Sequence, residues 1–247
     1  MNIFGETRTR VRGRHALIAA DGYVPSNLPG ISGAMANVVI SPAMGAGLTQ
    51  LLLTFEPEGR AVFPESGIET CVFLIDGGCK AAVGGRSETL AGGGFVFCPA
   101  GARLELSSAV KGTRAIIFQK HYEGLDGAPE PEPVFGNEEA IEAIPFLGDP
   151  AARLKTLLPE TPSFDMAVNL FTFQPGARLP FVETHVMEHG LVILEGEGVY
   201  RLEEDWYPVC AGDSIWMAPY CPQWFVAMGN EPTRYLYYKD INRSPMA

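Results

Sequence analysis

At 247 residues the chain is long enough for one large β domain or for two of about 120 residues, and either can bury a real core. A formal charge of −11 and a pI near 4.8, without a basic patch carrying interleaved aromatics, exclude nucleic acid as a partner. A charged fraction of only 19% excludes long disorder.

The 28 glycines and 20 prolines, with few long amphipathic runs, suit many short strands joined by turns, an all-β fold. Met1 to Arg14 is polar and basic with no apolar leader core, and no later stretch approaches the about eighteen apolar residues of a membrane span. The expectation is a cytoplasmic protein. The first half then carries Phe55-Glu56-Pro57-Glu58-Gly59, Phe73-Leu74-Ile75-Asp76-Gly77 and the run from Ala91 to Pro99. Tyr122 to Asn137 holds glycines, prolines and acids and reads as a linker, and Glu138 to Leu158 as a short helix limited by Pro145 and Pro150. The second half repeats the first: Phe55 is echoed by Phe173, Phe73 by Val192 and Ala91 by Ala211, offsets of 118, 119 and 120. Two copies of one barrel follow, with residues 1–121 as the first, 122–160 as linker and 161–247 as the second. Cys71, Cys79, Cys98, Cys210 and Cys221 are odd in number and lack a CxxC, which reads as buried thiols without a disulfide.

Chemistry concentrates in the second copy. In the run Phe181 to Gly190, an extended chain puts Glu183, His185 and His189 on one face, so a carboxylate and two imidazoles converge. A helical zinc site would need a glutamate directly after the first histidine, where Val186 stands. The ligand strand, a glycine turn, the Gly212-Asp213 to Pro219 strand and the late polar Gln223 follow the two-motif layout of a cupin barrel. Glutamate and glutamine oxygens with two imidazoles form a hard-to-borderline donor set suited to Mn²⁺ or another labile divalent ion. In the first copy the corresponding positions are Pro64, Ser66, Thr70 and Arg103, a poor ligand set, so that barrel is expected to be metal-free. Glu65 and Glu69 beside them read as a solvated rim or as contacts at a seam. In the last strand, Tyr235, Tyr237 and Lys239 share a face; if that face lines the metal pocket, Lys239 is available for acid–base work or to anchor an anion.

These residues resemble the bicupin (S)-ureidoglycine aminohydrolases of allantoin and purine catabolism. The resemblance is carried by Phe164-Asp165-Met166, by Glu183-Thr184-His185-Val186 with Glu188-His189-Gly190, by Gly196 to Tyr200, by the strand at Gln223 and by Tyr237 to Arg243. It extends loosely through Gly67 to Thr70 and Cys98 to Gly101, so it covers nearly the whole chain. It implies tandem double-stranded β-helix (jelly-roll) barrels and Mn²⁺ on Glu183, His185, His189 and Gln223. Tyr200, Tyr235 and Lys239 would line the substrate pocket. The implied reaction is hydrolysis of (S)-ureidoglycine to (S)-ureidoglycolate and ammonia, with Lys239 and Glu183 as candidate proton-transfer groups and the chain as a homo-oligomer. The sequence departs from the familiar pattern at Leu179-Pro180-Phe181 and Pro222-Gln223-Trp224. Two other classes remain as alternatives: an Fe²⁺ dioxygenase, which would usually carry a third histidine where Gln223 stands, and a non-catalytic bicupin binding a small ligand.

Overall fold

A computed structural model of the chain describes residues 6–243. The first five residues of the Met1 to Arg14 segment and the last four of the chain lie outside them. Contacts divide the chain into two compact units, one of Val24–Glu142, Lys155–Asn169 and Asp240–Ala247, the other of Met1–Tyr23, Ala143–Leu154 and Leu170–Lys239. These are not three consecutive spans. The N-terminal segment belongs with the C-terminal copy because His15–Ile18 adds to the free side of Ser214–Met217, pairing His15 with Met217 and Ile18 with Ser214.

In the N-terminal unit the antiparallel order is Val134–Asn137, Gly94–Cys98, Ile68–Asp76, Arg114–His121, Leu48–Phe63, Leu104–Ser107, Gly78–Val83 and Arg86–Ala91, with Ile31–Ile40 also along Leu48–Phe63. Alternate residues of these strands, among them Leu51, Leu53, Val72, Leu74, Val96 and Ile117, meet in one core. In the C-terminal unit one sheet runs Arg10–Val11, His15–Ile18, Ser214–Met217, His189–Glu195, Thr233–Asp240, Met166–Phe173, Asp149–Thr156 and Ile144–Phe146. The second is Asp205–Cys210, Glu197–Leu202 and Gln223–Met228. Phe173, Leu191 and Tyr235 from the first share a core with Tyr200, Val209 and Phe225 from the second, so the sheets face each other. Among the described residues no helix is long and apolar enough to cross a membrane. All five cysteines are free, and only Cys210 is not fully buried.

The repeat legible in the sequence is a repeat in space at its turns. Ile68–Asp76 and His189–Glu195 both end on a glycine with φ of 77°, Gly77 and Gly196. A Cβ on either would stand 2.9 Å or less from a threonine, Thr113 or Thr233. Each threonine hydroxyl accepts from the backbone N–H just after its glycine, that of Gly78 at 2.9 Å and that of Glu197 at 3.2 Å. Positive φ and this close approach both require glycine.

Two expectations fail. The helix expected in Glu138 to Leu158 is a single 3₁₀ turn at Glu138–Ala140, followed by a hairpin of Ile144–Phe146 and Asp149–Thr156. Its two-residue turn, Leu147-Gly148, has positive φ at both positions, the turn whose twist suits a hairpin. Of the two placements expected for Glu69, a solvated rim is ruled out, because the residue is fully buried. Lys120 pairs with Asp165, whose carboxylate also accepts from Glu123 N at 2.8 Å, and Phe164 packs on Phe97. The segment around Asp165 thus covers the outer face of the strands that carry Glu69 and Phe97. Burial first, and the neighbouring Asp165 carboxyl next, push Glu69 up to about 9, against the opposing pull of Lys120 and Arg243.

Candidate metal centre and active site

The C-terminal unit encloses a cavity of about 230 Å³ between its two sheets, and every residue expected at the site lines it: Glu183, His185, His189, Tyr200, Gln223, Tyr235 and Lys239. Neither His15 nor His121 does. The run Phe181 to Gly190 is not the continuous strand that alternation implies. Glu183 and Gln223 form a single antiparallel bridge, with Glu183 N to Gln223 O at 2.8 Å and Gln223 N to Glu183 O at 2.9 Å. Directly opposed residues project to one face, so this bridge sets the two side chains together. The chain then leaves the ladder for residues 184–188 and re-enters at His189, the first residue of His189–Glu195. On that excursion the His185 carbonyl accepts from Tyr220 N at 2.7 Å.

The register of the main sheet completes the site. His189 stands opposite Lys239 on one side and Met217 on the other, and Leu191 and Ile193 stand opposite Tyr237 and Tyr235. The alternation expected for Tyr235, Tyr237 and Lys239 is therefore the pocket face. His189 Nδ1 lies 3.1 Å from the carbonyl oxygen of Tyr238. A carbonyl can only accept, so Nδ1 carries the proton and Nε2 presents its lone pair to the cavity. That Nε2 is 3.2 Å from His185 Nε2, which in turn is 2.9 Å from the carboxamide of Gln223. Tyr200 Oη donates to the other end of that carboxamide at 3.4 Å.

Electrostatics act in opposite senses on the nitrogen and oxygen donors. Burial, then His185, hold His189 down to about 3, so its ring is neutral. Desolvation raises the Glu183 carboxyl, and Lys239 opposes it. Burial likewise raises Tyr200 and Tyr235, leaving both phenols protonated and able to donate.

The residues present fit a divalent ion. Donors about 2.1 Å from one ion and at right angles stand about 3 Å apart, and the His185–His189 and His185–Gln223 separations of 3.2 and 2.9 Å match this. Two Nε2 atoms face each other, and a shared cation satisfies both lone pairs at once. The Gln223 carboxamide becomes an oxygen donor when turned by half a revolution. Among the described residues no three His, Cys, Asp or Glu side chains form a ready metal-holding group. What converges is two imidazoles and a carboxamide, with the Glu183 carboxylate on the same wall.

A cupin-domain family model matches residues 169–238, which include every expected site residue except Lys239. The chain is 35% identical over 243 residues to the probable (S)-ureidoglycine aminohydrolase of Oryza sativa subsp. japonica, covering 98% of this chain and 78% of the relative. It is 34% identical to the (S)-ureidoglycine aminohydrolase of Escherichia coli, covering 94% and 90%. The chain belongs to the (S)-ureidoglycine aminohydrolase family. The crystal structure of protein Ylba from E. coli superposes with a TM-score of 0.87 at 33% identity, over 96% of both chains, so the cupin architecture extends beyond the 169–238 match.

Sequence reasoning about this aminohydrolase family member missed the apolar half of the cavity: Phe146, Phe171, Leu179, Met187 and Met217 also line it. Phe146 comes from the segment read as a helical linker and packs edge-on against Phe171, with centroids 4.9 Å apart. Phe171 had a usable signal, since it shares the parity of Phe173 on one strand. Phe146 had none.

Proposed function

We propose that the protein is a metal-dependent (S)-ureidoglycine aminohydrolase that converts (S)-ureidoglycine and water to (S)-ureidoglycolate and ammonia. One divalent ion, Mn²⁺ in first place, would be held in the C-terminal unit by Glu183, His185, His189 and Gln223. The observation that carries this reading is the approach of two imidazole Nε2 atoms and a carboxamide beside Glu183 and Lys239. An ion at these donors supplies positive charge that fixes two of the substrate's three polar groups and thereby selects one face of its central carbon.

The chain's own groups do the rest. Protonated Tyr200 and Tyr235 donate hydrogen bonds to the ureido oxygen or the carboxylate. Glu183, a carboxylate raised by desolvation, takes a proton from the incoming water as its oxygen bonds to the central carbon. The bond from that carbon to the amine breaks, and Lys239 gives a proton to the departing nitrogen, which leaves as ammonia. Transfer of the held proton from Glu183 to Lys239 restores both groups. The apolar wall limits free water around the reacting carbon.

The N-terminal unit is assigned no ion. There Thr70 takes the place of His189, opposite Gln119 and Cys98, and Gln119 Nε2 donates to Thr70 Oγ1 at 3.1 Å. Association of the chain into a homo-oligomer in the cytoplasm belongs to the same reading, and sedimentation showing only monomer at micromolar concentration would remove the first part of it. The test of the activity is ammonia release from freshly generated (S)-ureidoglycine by protein stripped with chelator and reloaded with Mn²⁺. Turnover only after reloading is expected. Turnover by the stripped protein, or none after reloading, overturns the proposal.

A further inference from the structure

The segment that carries the ligands also carries a glutamate that this chemistry leaves unused. Glu188 is 6% exposed, and its Oε1 accepts a 2.7 Å hydrogen bond from the indole Nε1 of Trp216, itself 1% exposed. Ile215 belongs to the core between the sheets and Met217 lines the cavity, so by alternation Trp216 lies on the opposite face of Ser214–Met217. Glu188 reaches that back face from the residue immediately before His189. Across the ladder, Trp216 pairs with Gly190, the residue just after His189.

This placement answers a mechanical need. Residues 184–188 leave the ladder between the Glu183–Gln223 bridge and His189, and an untied excursion would let one imidazole drift relative to the other. The bridge holds its start, Tyr220 N holds the His185 carbonyl, and the Glu188–Trp216 bond fastens its end from the back face of the sheet. We propose that Glu188 is a positioning residue for the metal site. Its bond to Trp216 locks the excursion's return to the sheet and so fixes the 3.2 Å approach of His185 and His189. The inference rests on the metal reading above.

The experiment is titration of the apo-protein with Mn²⁺, with thermal denaturation of the same apo-protein in parallel. Glu188→Ala and Trp216→Phe should each weaken Mn²⁺ binding about tenfold or more, the scale of partners that orient metal-ligating histidines. The double variant should be no weaker than the weaker single, because both remove one bond. Trp216→Phe keeps most of the ring, so it tests the bond with little loss of packing. Glu188→Gln keeps an oxygen for the indole and should stay close to the parent. Parental Mn²⁺ affinity in Glu188→Ala and Trp216→Phe overturns the inference, even where the apo-protein melts earlier. A loss in Glu188→Gln as large as in Glu188→Ala overturns it too, since charge and not the bond would be responsible. A parent that binds no Mn²⁺, or a His189→Ala variant that binds it like the parent, overturns the metal reading instead.

Discussion

His189 and Lys239 are direct antiparallel partners, so an imidazole offering its lone pair and a lysine side chain stand next to each other on one face of the sheet. The pairing joins ion binding to substrate handling. The Lys239 charge helps to hold His189 down and opposes the desolvation that raises Glu183. One cation thus helps to keep a nitrogen ligand and an oxygen ligand free of protons, while its own ammonium faces the cavity.

Replacing Lys239 separates these roles. Lys239→Ala should cost about 10²-fold or more in kcat/KM, the scale of one acid–base group, with metal content and far-ultraviolet circular dichroism unchanged. Lys239→Arg should not restore activity, because a guanidinium is wider and does not release its proton. Near-parental ammonia release by the alanine variant with metal bound would place Lys239 outside the chemistry.

The ion itself should follow the imidazoles. Metal analysis of protein purified in Mn²⁺ should give one equivalent per chain, lost in His185→Ala and in His189→Ala. Gln223→Ala should bind more weakly without abolishing binding, since three donors remain. Two tight equivalents per chain, or full occupancy in both histidine variants, contradicts a single site in the C-terminal unit.

Much of this site was legible before the fold was known, although by an incomplete route. His185 and His189 meet, and Glu183 lines the same cavity, yet His185 lies on an excursion that period-two reasoning does not describe. The bridge to Gln223 and the ladder at His189 bring the donors together. The duplication was readable because Gly77 and Gly196 answer a local steric demand that leaves a mark in the sequence. Pairing between distant segments leaves no such mark. Nothing local tells that His15–Ile18 extends the sheet of the other copy, that Phe146 walls the cavity, or that the segment around Asp165 covers Glu69.

Glu69 makes stability depend on pH. Its folded value is raised to about 9, above the ordinary carboxyl value. The stability it contributes is therefore fully present below about pH 4.3 and is lost as pH rises through 9, where the buried Glu69 carboxyl must give up its proton beside Asp165. Parental Tm should fall across this window. Glu69→Gln stays uncharged at every pH, so its profile should be flatter, with the largest relative gain at the alkaline end. Parallel profiles for the two proteins would show that Glu69 does not hold the proton.

His15 ties the N-terminal strand into the C-terminal unit. It is 1% exposed, with Nδ1 3.0 Å from Glu203 Oε2 and Nε2 2.9 Å from Tyr207 Oη, which in turn donates to Asp205 at 3.1 Å. The carboxylate can only accept, so Nδ1–H donates to Glu203, and the imidazole ties the N-terminal strand both to the turn at Glu203 and to the strand Asp205–Cys210. His15→Ala removes both bonds and leaves a void beside Tyr207, at a cost of about 2 to 4 kcal/mol. At this chain length that is a drop in Tm of roughly 5 to 15 °C. Below the new Tm the variant should still bind its ion with near-parental affinity, since His15 does not line the cavity. A melting point unchanged to within the error of the scan would mean that the His15 bonds add nothing to the stability of the unit.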